Sequence, residues 1–343
     1  MNLKNKALKA YMGCIRNICS DNTKLRMKLF DCMVKPIMNY GSEVWSSFYW
    51  PNINDTNLYK QCETLETEKL HLKFIKGLLG VNRLSCNAAV RGEVGAFPML
   101  IQHIKSIIRY LFRMEKISPD SLLYKSYMEC KEMMSINQNC WLTGVQQILS
   151  KVGIVDSFSG NVNIFCANDL SVSNIMKSVL KSIHNTYREQ WYSVINKIDE
   201  HNKLRTYNTF KKEFSLESYV VSLTSRKQCS EFAKLRISAH KLQIELGRYN
   251  RPNIIPINKR YCPHCRNGDI EDEIHFVIDC SLYADERNIL FDEIKNIVPN
   301  FGNMTKSEKF IFMMNYNNGD TEILRFIAKY ISRCMDTRSS NTV

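Results

Sequence analysis

Glycine and proline are scarce in this 343-residue chain, with 13 and 8 residues respectively. That poverty of turn formers disfavours a turn-dense β-sandwich or β-barrel. No apolar run approaches the roughly 18 residues that a membrane-spanning helix needs, so an integral membrane protein and a membrane partner are not expected. The opening MNLKNKALKAYMG carries basic residues but no continuous apolar segment after them. It does not read as a secretory signal, and the expectation is an intracellular chain, nuclear or cytoplasmic. Also absent are G-x-S-x-G, the P-loop, the Rossmann G-x-G-x-x-G and H-E-x-x-H, and with them any motif for a small-molecule substrate. No pair of neighbouring aspartates lies in an apolar strand context, as a two-metal polymerase site requires. No internal repeat or low-complexity tract is present, and strand-like alternation is confined to 162–165 and 218–223.

What is present is helical periodicity. Residues 22–34 place Leu25, Leu29, Cys32 and Met33 on one stripe, after an N-cap at Asn22 and before a stop or kink at Pro36. Residues 56–79 and 98–114 repeat the pattern, the second with Leu100, Ile104, Ile107, Ile108 and Leu111 after Pro98. The longest amphipathic stretch is 170–197, with Ile175, Val179, Ile183, Tyr187, Trp191 and Val194. Helices also fit 119–134, 141–151, 227–240, 284–297 and 321–335. The fold class expected is mainly α and multi-helical.

Thirteen cysteines are an odd number spread over the whole length. Most therefore read as buried small hydrophobes in a reducing compartment. The net charge of +13 is placed rather than diffuse. Residues 201–260 hold 13 Lys/Arg against 4 Asp/Glu, whereas 261–300 hold 3 against 9. A basic block of this kind points to a polyanion partner.

One group of cysteines is tightly spaced, in YCPHCRNGDIEDEIHFVIDC. Cys262 and Cys265 form C-x2-C, and His275 and Cys280 follow as H-x4-C after nine intervening residues. Two thiolates on a tight turn and a second pair about ten residues later can close the tetrahedron of one structural Zn²⁺ per chain. His264, between the first two cysteines, is the one substitute ligand, disfavoured because adjacent residues rarely aim at one ion. The nearby Asp269, Glu271, Asp272 and Glu273 read as a charged, solvated loop entering the helix that bears His275.

Upstream, SRKQCSEFAKLRISAHKLQIELGRYNR sets Lys227, Lys234, Arg236, Lys241, Arg248 and Arg251 around an apolar side of Phe232, Leu235, Ala239 and Leu242. A basic helix with an apolar back, docked beside a zinc knuckle, is a workable clamp on a phosphate backbone. Tyr249 and Tyr261 are candidates for stacking on unpaired bases, or for packing inside. An isolated histidine such as His240 reads as structural.

Four segments in order, KLFDCMVKPIMNYGSEVW (28–45), EKLHLKFIKGLLGV (68–81) with RGEVGAFP (91–98), KLRISAHKLQIELGRY (234–249), and the 262–283 cluster, carry a resemblance. Together they resemble the C-terminal part of the reverse transcriptase of non-LTR, LINE-type, jockey-like retrotransposons. The resemblance implies a thumb-like helical region over 1–115, a helical linker over 116–225, and a basic helix, zinc knuckle and trailing helices over 226–343. It carries the knuckle ligands over as Cys262, Cys265, His275 and Cys280, with a spacer slightly longer than is common. It also implies that the segment lies beyond the catalytic palm, and no Ala-Asp-Asp turn occurs in the chain. The expected function is thus non-catalytic binding of RNA or DNA (element RNA or target DNA) within a parent RNA-directed DNA polymerase. The alternative is a zinc-stabilised helical scaffold for protein interaction without nucleic-acid binding.

Overall fold

The structure, a computed structural model, describes residues 3–17, 22–49, 63–151, 172–197, 203–249, 252–265, 267–316 and 321–341. Among these the chain is mainly α-helical; no β-strand is formed, only the isolated bridges Val94–Leu216 and Tyr261–Ile270. No described helix is long and apolar enough to cross a membrane. The described helices of eight residues or more are α1 (Leu3–Asn17), α2 (Glu66–Leu79), α3 (Asn87–Val94), α4 (Met99–Lys116), α5 (Leu122–Ser135), α6 (Trp141–Lys151), α7 (Val172–Ile195), α8 (Arg226–Arg236), α9 (Ala284–Ile297), α10 (Lys306–Met314) and α11 (Thr321–Ser340).

The chain divides into two compact units, one of 1–18, 27–71 and 97–192, the other of 19–26, 72–96 and 193–343. These are not three consecutive segments with boundaries at 115 and 225. Long-range pairings such as Glu93 with Arg236, 143 residues apart, draw 72–96 into the later unit.

In the first unit α4 is the organising helix. Leu100, Ile104, Ile107, Ile108 and Leu111 are all buried, as their 3.6-residue spacing predicts. Pro98 opens the helix, and its Leu100 N–H is capped from a distance by the buried Glu68 carboxylate at 2.9 Å. Pro36 does not end its helix. The chain passes through a π turn at Phe30–Val34 into Lys35–Asn39, where Pro36 occupies the first turn and needs no N–H donor. Gly41 turns the chain at φ 69°, and Trp45 and Trp141 each lock a neighbouring carbonyl, at Tyr40 and Glu43, at 2.8 Å. Along α7 the stripe of Val179, Ile183, Tyr187 and Trp191 is buried, whereas Val194 is exposed.

The second unit is built around a buried ion-pair cluster. Arg236 at the end of α8 is 1% exposed and forks onto Glu93 of α3 at 2.7 and 3.0 Å. Glu217, Lys211 and the Tyr219 hydroxyl complete the cluster. Burial opposes ionisation of Glu93, but the charge and hydrogen bonds of Arg236, the charge of Lys211 and the Tyr219 hydroxyl outweigh it and hold the carboxyl below its ordinary value. Residues 218–223, read as a strand from alternation, are instead the short helix Ser218–Ser222. A half-buried strand sends successive side chains to opposite faces, but Tyr219 and Val220 are both buried. The 162–165 strand candidate lies outside the described residues.

Helix α8 stops four residues short of the expected 240. Ser238 takes a left-handed φ of 53°, with Ala239 N–H bonded to Lys234 O at 2.8 Å and Ser238 N–H to Leu235 O at 3.4 Å. That pattern is a Schellman stop built on serine rather than glycine. It swings 239–249 off the helix axis and toward the cysteine cluster.

Candidate metal centre and basic surface

The chain enters the metal centre through a two-sided turn. Cys262 N–H bonds to Asp269 O at 2.8 Å and Glu271 N–H to Arg260 O at 2.9 Å, while Gly268 reverses the chain at φ 79°. The Asp272 carboxylate then accepts His275 N–H at 2.7 Å and starts the next turn. His275–Asp279 is a π turn, closed by Cys280 N–H on His275 O at 2.8 Å. That geometry suits the H-x4-C spacing. In an α-helix residues i and i+5 point about 140° apart, whereas an i→i+5 hydrogen bond brings them together.

The result is a Cys3His cluster. Ligand atoms of Cys262, Cys265, His275 and Cys280 all lie within 4.8 Å of one another. Cys262 Sγ is 3.9 Å from Cys280 Sγ, and Cys265 Sγ is 3.5 Å from His275 Nε2. Metal–ligand bonds of about 2.0–2.3 Å in a tetrahedron require ligand separations of about 3.5–3.8 Å. The four residues can therefore hold one metal ion with little movement. His275 turns Nε2 inward, and its Nδ1 faces the Asp269 carboxylate at 3.8 Å, an outer partner that orients the ring. Burial pushes the Cys280 thiol up to about 12 and raises Cys262 as well, so an ion taken up here displaces protons and binds more tightly as pH rises. His264 is not part of the cluster; its Nε2 is buried without a hydrogen-bond partner among the described residues.

The acidic run beside the ligands is not a solvated loop. Glu271 and Glu273 are 1% and 0% exposed. Glu271 takes a bidentate hydrogen bond from Arg338 of α11 at 2.7 and 2.8 Å and accepts Gln243 N–H at 2.7 Å. Glu273 is held by Arg205 at 2.6 Å, by His240 at 2.9 Å and by the Ser238 hydroxyl at 3.0 Å. Burial alone raises its pKa, yet the His240 hydrogen bond and the charges of His240 and Arg205 bring it down to about 2. Each carboxylate is neutralised by a distant cation. Those partners carry no local sequence signal: Arg338 is 67 residues from Glu271 and Arg205 is 68 from Glu273. Only Asp272, three residues before His275, follows a capping pattern legible in the sequence.

The six basic candidates separate. Arg236 is a correction: it is sealed in the Glu93 and Glu217 cluster and presents nothing to a phosphate. Lys227 is exposed and paired at the surface with Asp336 at 2.6 Å. Lys234 is half-buried on Glu231 at 2.8 Å, and Arg248 on Glu245 at 3.1 Å. Lys241 is exposed with no ion pair among the described residues, and Arg251 lies outside them. Tyr249 and Tyr261 are both exposed, at 65% and 52%. Lys203, absent from the sequence reading, is half-buried and faces the same groove as Lys241. No family model, no curated protein and no solved structure matches this chain.

Proposed function

We propose that the chain is the nucleic-acid-binding, non-catalytic C-terminal part of a LINE-type, jockey-like reverse transcriptase, acting in the nucleus or cytoplasm on RNA or DNA, with a zinc knuckle that is structural. The observation that carries the reading is the Cys3His cluster, whose segment is bonded through Glu271 and Glu273 to the residues that follow the basic helix α8. Three soft thiols and an imidazole suit Zn²⁺, and four protein ligands fill its tetrahedron and leave no position for chemistry. The zinc holds 260–283 together, and through Glu271 the same segment meets Gln243 and Arg338. Metal and basic surface are thus linked through the buried carboxylates.

Exposed or lightly paired cations near the end of α8 include Lys203, Lys227, Lys234 and Lys241. Surface pairs such as Lys227–Asp336 contribute about 0–1 kcal/mol and give way readily to a phosphate. If about four such cations neutralise phosphates, log K falls against log[salt] with a slope of roughly −3 to −4. A filter-binding titration at several salt concentrations measures it. Changing Lys227 and Lys234 together to Ala flattens the slope by up to about 2 and weakens binding to all sequences alike. A flat salt response in the wild type overturns the reading in favour of a protein-docking scaffold.

A further inference from the structure

We infer that a groove in the later unit seats an unpaired nucleotide of single-stranded nucleic acid, with its base on the Tyr249 ring and its phosphates on Lys203 and Lys241. The inference rests on the nucleic-acid reading above and specifies where on the chain a strand is held. The groove, about 530 Å³, lies between the 82–84 turn, the end of α8, the 238–249 segment and the last turns of α11. Pockets of about 300–1,000 Å³ are of the size that small ligands fill.

Its charge is decided by what is already paired. Of the carboxylates lining it, Glu231 is held by Lys234 at 2.8 Å, Asp336 by Lys227 at 2.6 Å, and Glu245 by Arg205 and Arg248 at 2.7 and 3.1 Å. Arg338 is committed to Glu271. Lys203 and Lys241 make no ion pair among the described residues. The groove therefore offers two uncompensated ammonium groups, which suit phosphates as point charges rather than as bidentate forks.

Its shape is held by the fold. Gly80, at φ 65°, leaves no room for a Cβ against Ser230 of α8, whose hydroxyl bonds to Gly80 O at 2.9 Å. That contact sets the 82–84 turn beside the basic helix, where Asn82 Oδ1 accepts Leu84 N–H at 2.8 Å and leaves the Leu84 side chain 78% exposed. On the other side Tyr249 N–H is fixed to Leu246 O at 3.0 Å while the ring stays 65% exposed. An exposed aromatic face with an apolar neighbour and two free cations matches a base and its phosphates. A duplex hides its base faces, and an acidic peptide leaves the ring unused.

The test uses the full zinc-loaded chain with 8-mers of oligo-U and oligo-dT carrying one 2-aminopurine, the same strands made abasic, and a duplex. The variants are Tyr249→Ala and the double change Lys203→Ala with Lys241→Ala, each checked for native circular dichroism. In wild type, 2-aminopurine emission is expected to be quenched on binding. Loss of one stacked base weakens single-strand binding by about 5- to 150-fold in Tyr249→Ala, with the salt slope unchanged. The abasic strand and the duplex bind wild type and Tyr249→Ala alike. The lysine pair flattens the single-strand slope by about 1.4. Equal binding of U and dT assigns recognition to base and phosphate alone, and tighter U binding adds a 2′-hydroxyl contact; both support the groove. Salt-dependent binding that neither variant alters overturns the groove and leaves the nucleic-acid reading standing. Absence of salt-dependent binding in wild type overturns both, and displacement of the strand by an equal charge of polyglutamate overturns the groove in favour of an acidic protein partner.

Discussion

At the scale of single residues, spacing and environment divide the work. Cys265 joins the Cys3His cluster because a two-residue gap turns it back toward Cys262, and its Sγ meets His275 Nε2 at 3.5 Å. His264, one residue earlier, is not part of the cluster. On the zinc proposal, Cys265→Ser is expected to lower bound zinc from about one equivalent to near zero, while His264→Ala keeps it; elemental analysis of the purified proteins checks both, and loss of metal from His264→Ala overturns the assignment. Arg236 shows the limit of reading charge from sequence. In KLRISAH it is indistinguishable from Lys234, two positions away. The packing of Tyr219, Phe210 and Phe232 around its guanidinium, at 4.7–5.8 Å, makes it a core residue. A buried arginine is tolerated only with its carboxylates beside it, and those come from α3 and from Glu217, far off in sequence.

At the scale of elements, helix existence was legible and helix ends less so. The stripes of α4 and α7 follow the apolar spacing, and α9 spans 284–297 as that spacing predicts. The end of α8 depends on a serine in a left-handed conformation, which no helix-stop rule based on glycine or proline anticipates. The end of α3 is more conventional and more exacting. Gly95 has φ 62°, and a Cβ there would stand 2.7 Å from Leu216 N and 2.9 Å from Ser215 C, beside the Val94–Leu216 bridge. Gly95→Ala is expected to destabilise the protein by more than about 1 kcal/mol, since a left-handed alanine is strained even in open space. Gly302→Ala, where nothing lies within 4 Å, serves as the neutral comparison. A denaturant midpoint unchanged in Gly95→Ala refutes the close approach.

At the scale of the whole molecule, the metal centre is wired into one unit by buried charge. Glu271 meets Arg338 of α11, Glu273 meets Arg205 and His240, and Tyr330 of α11 donates to Val277 O at 2.8 Å. An ion held by the Cys3His cluster would tie three thiols and an imidazole together, and its removal would be felt along these contacts. Chelation is expected to raise amide exchange across 260–283 and into α11, and to leave α4 unchanged. Hydrogen-exchange measurements with and without chelator check this; a uniform rise, or none in α11, refutes the coupling.

The amino-acid sequence alone determined the helical class, the apolar faces and the four residues of the Cys3His cluster. These are local properties: a 3.6-residue period and a C-x2-C with a matched second pair are visible within windows of about twenty residues. Tertiary structure decided which charges face solvent. Glu271, Glu273 and Arg236 look like surface residues to any local rule, and each is buried because a partner tens of residues away neutralises it. It also decided that α3, far upstream in the chain, belongs with α8 and the knuckle, because a buried ion pair is stable only when both partners share one core.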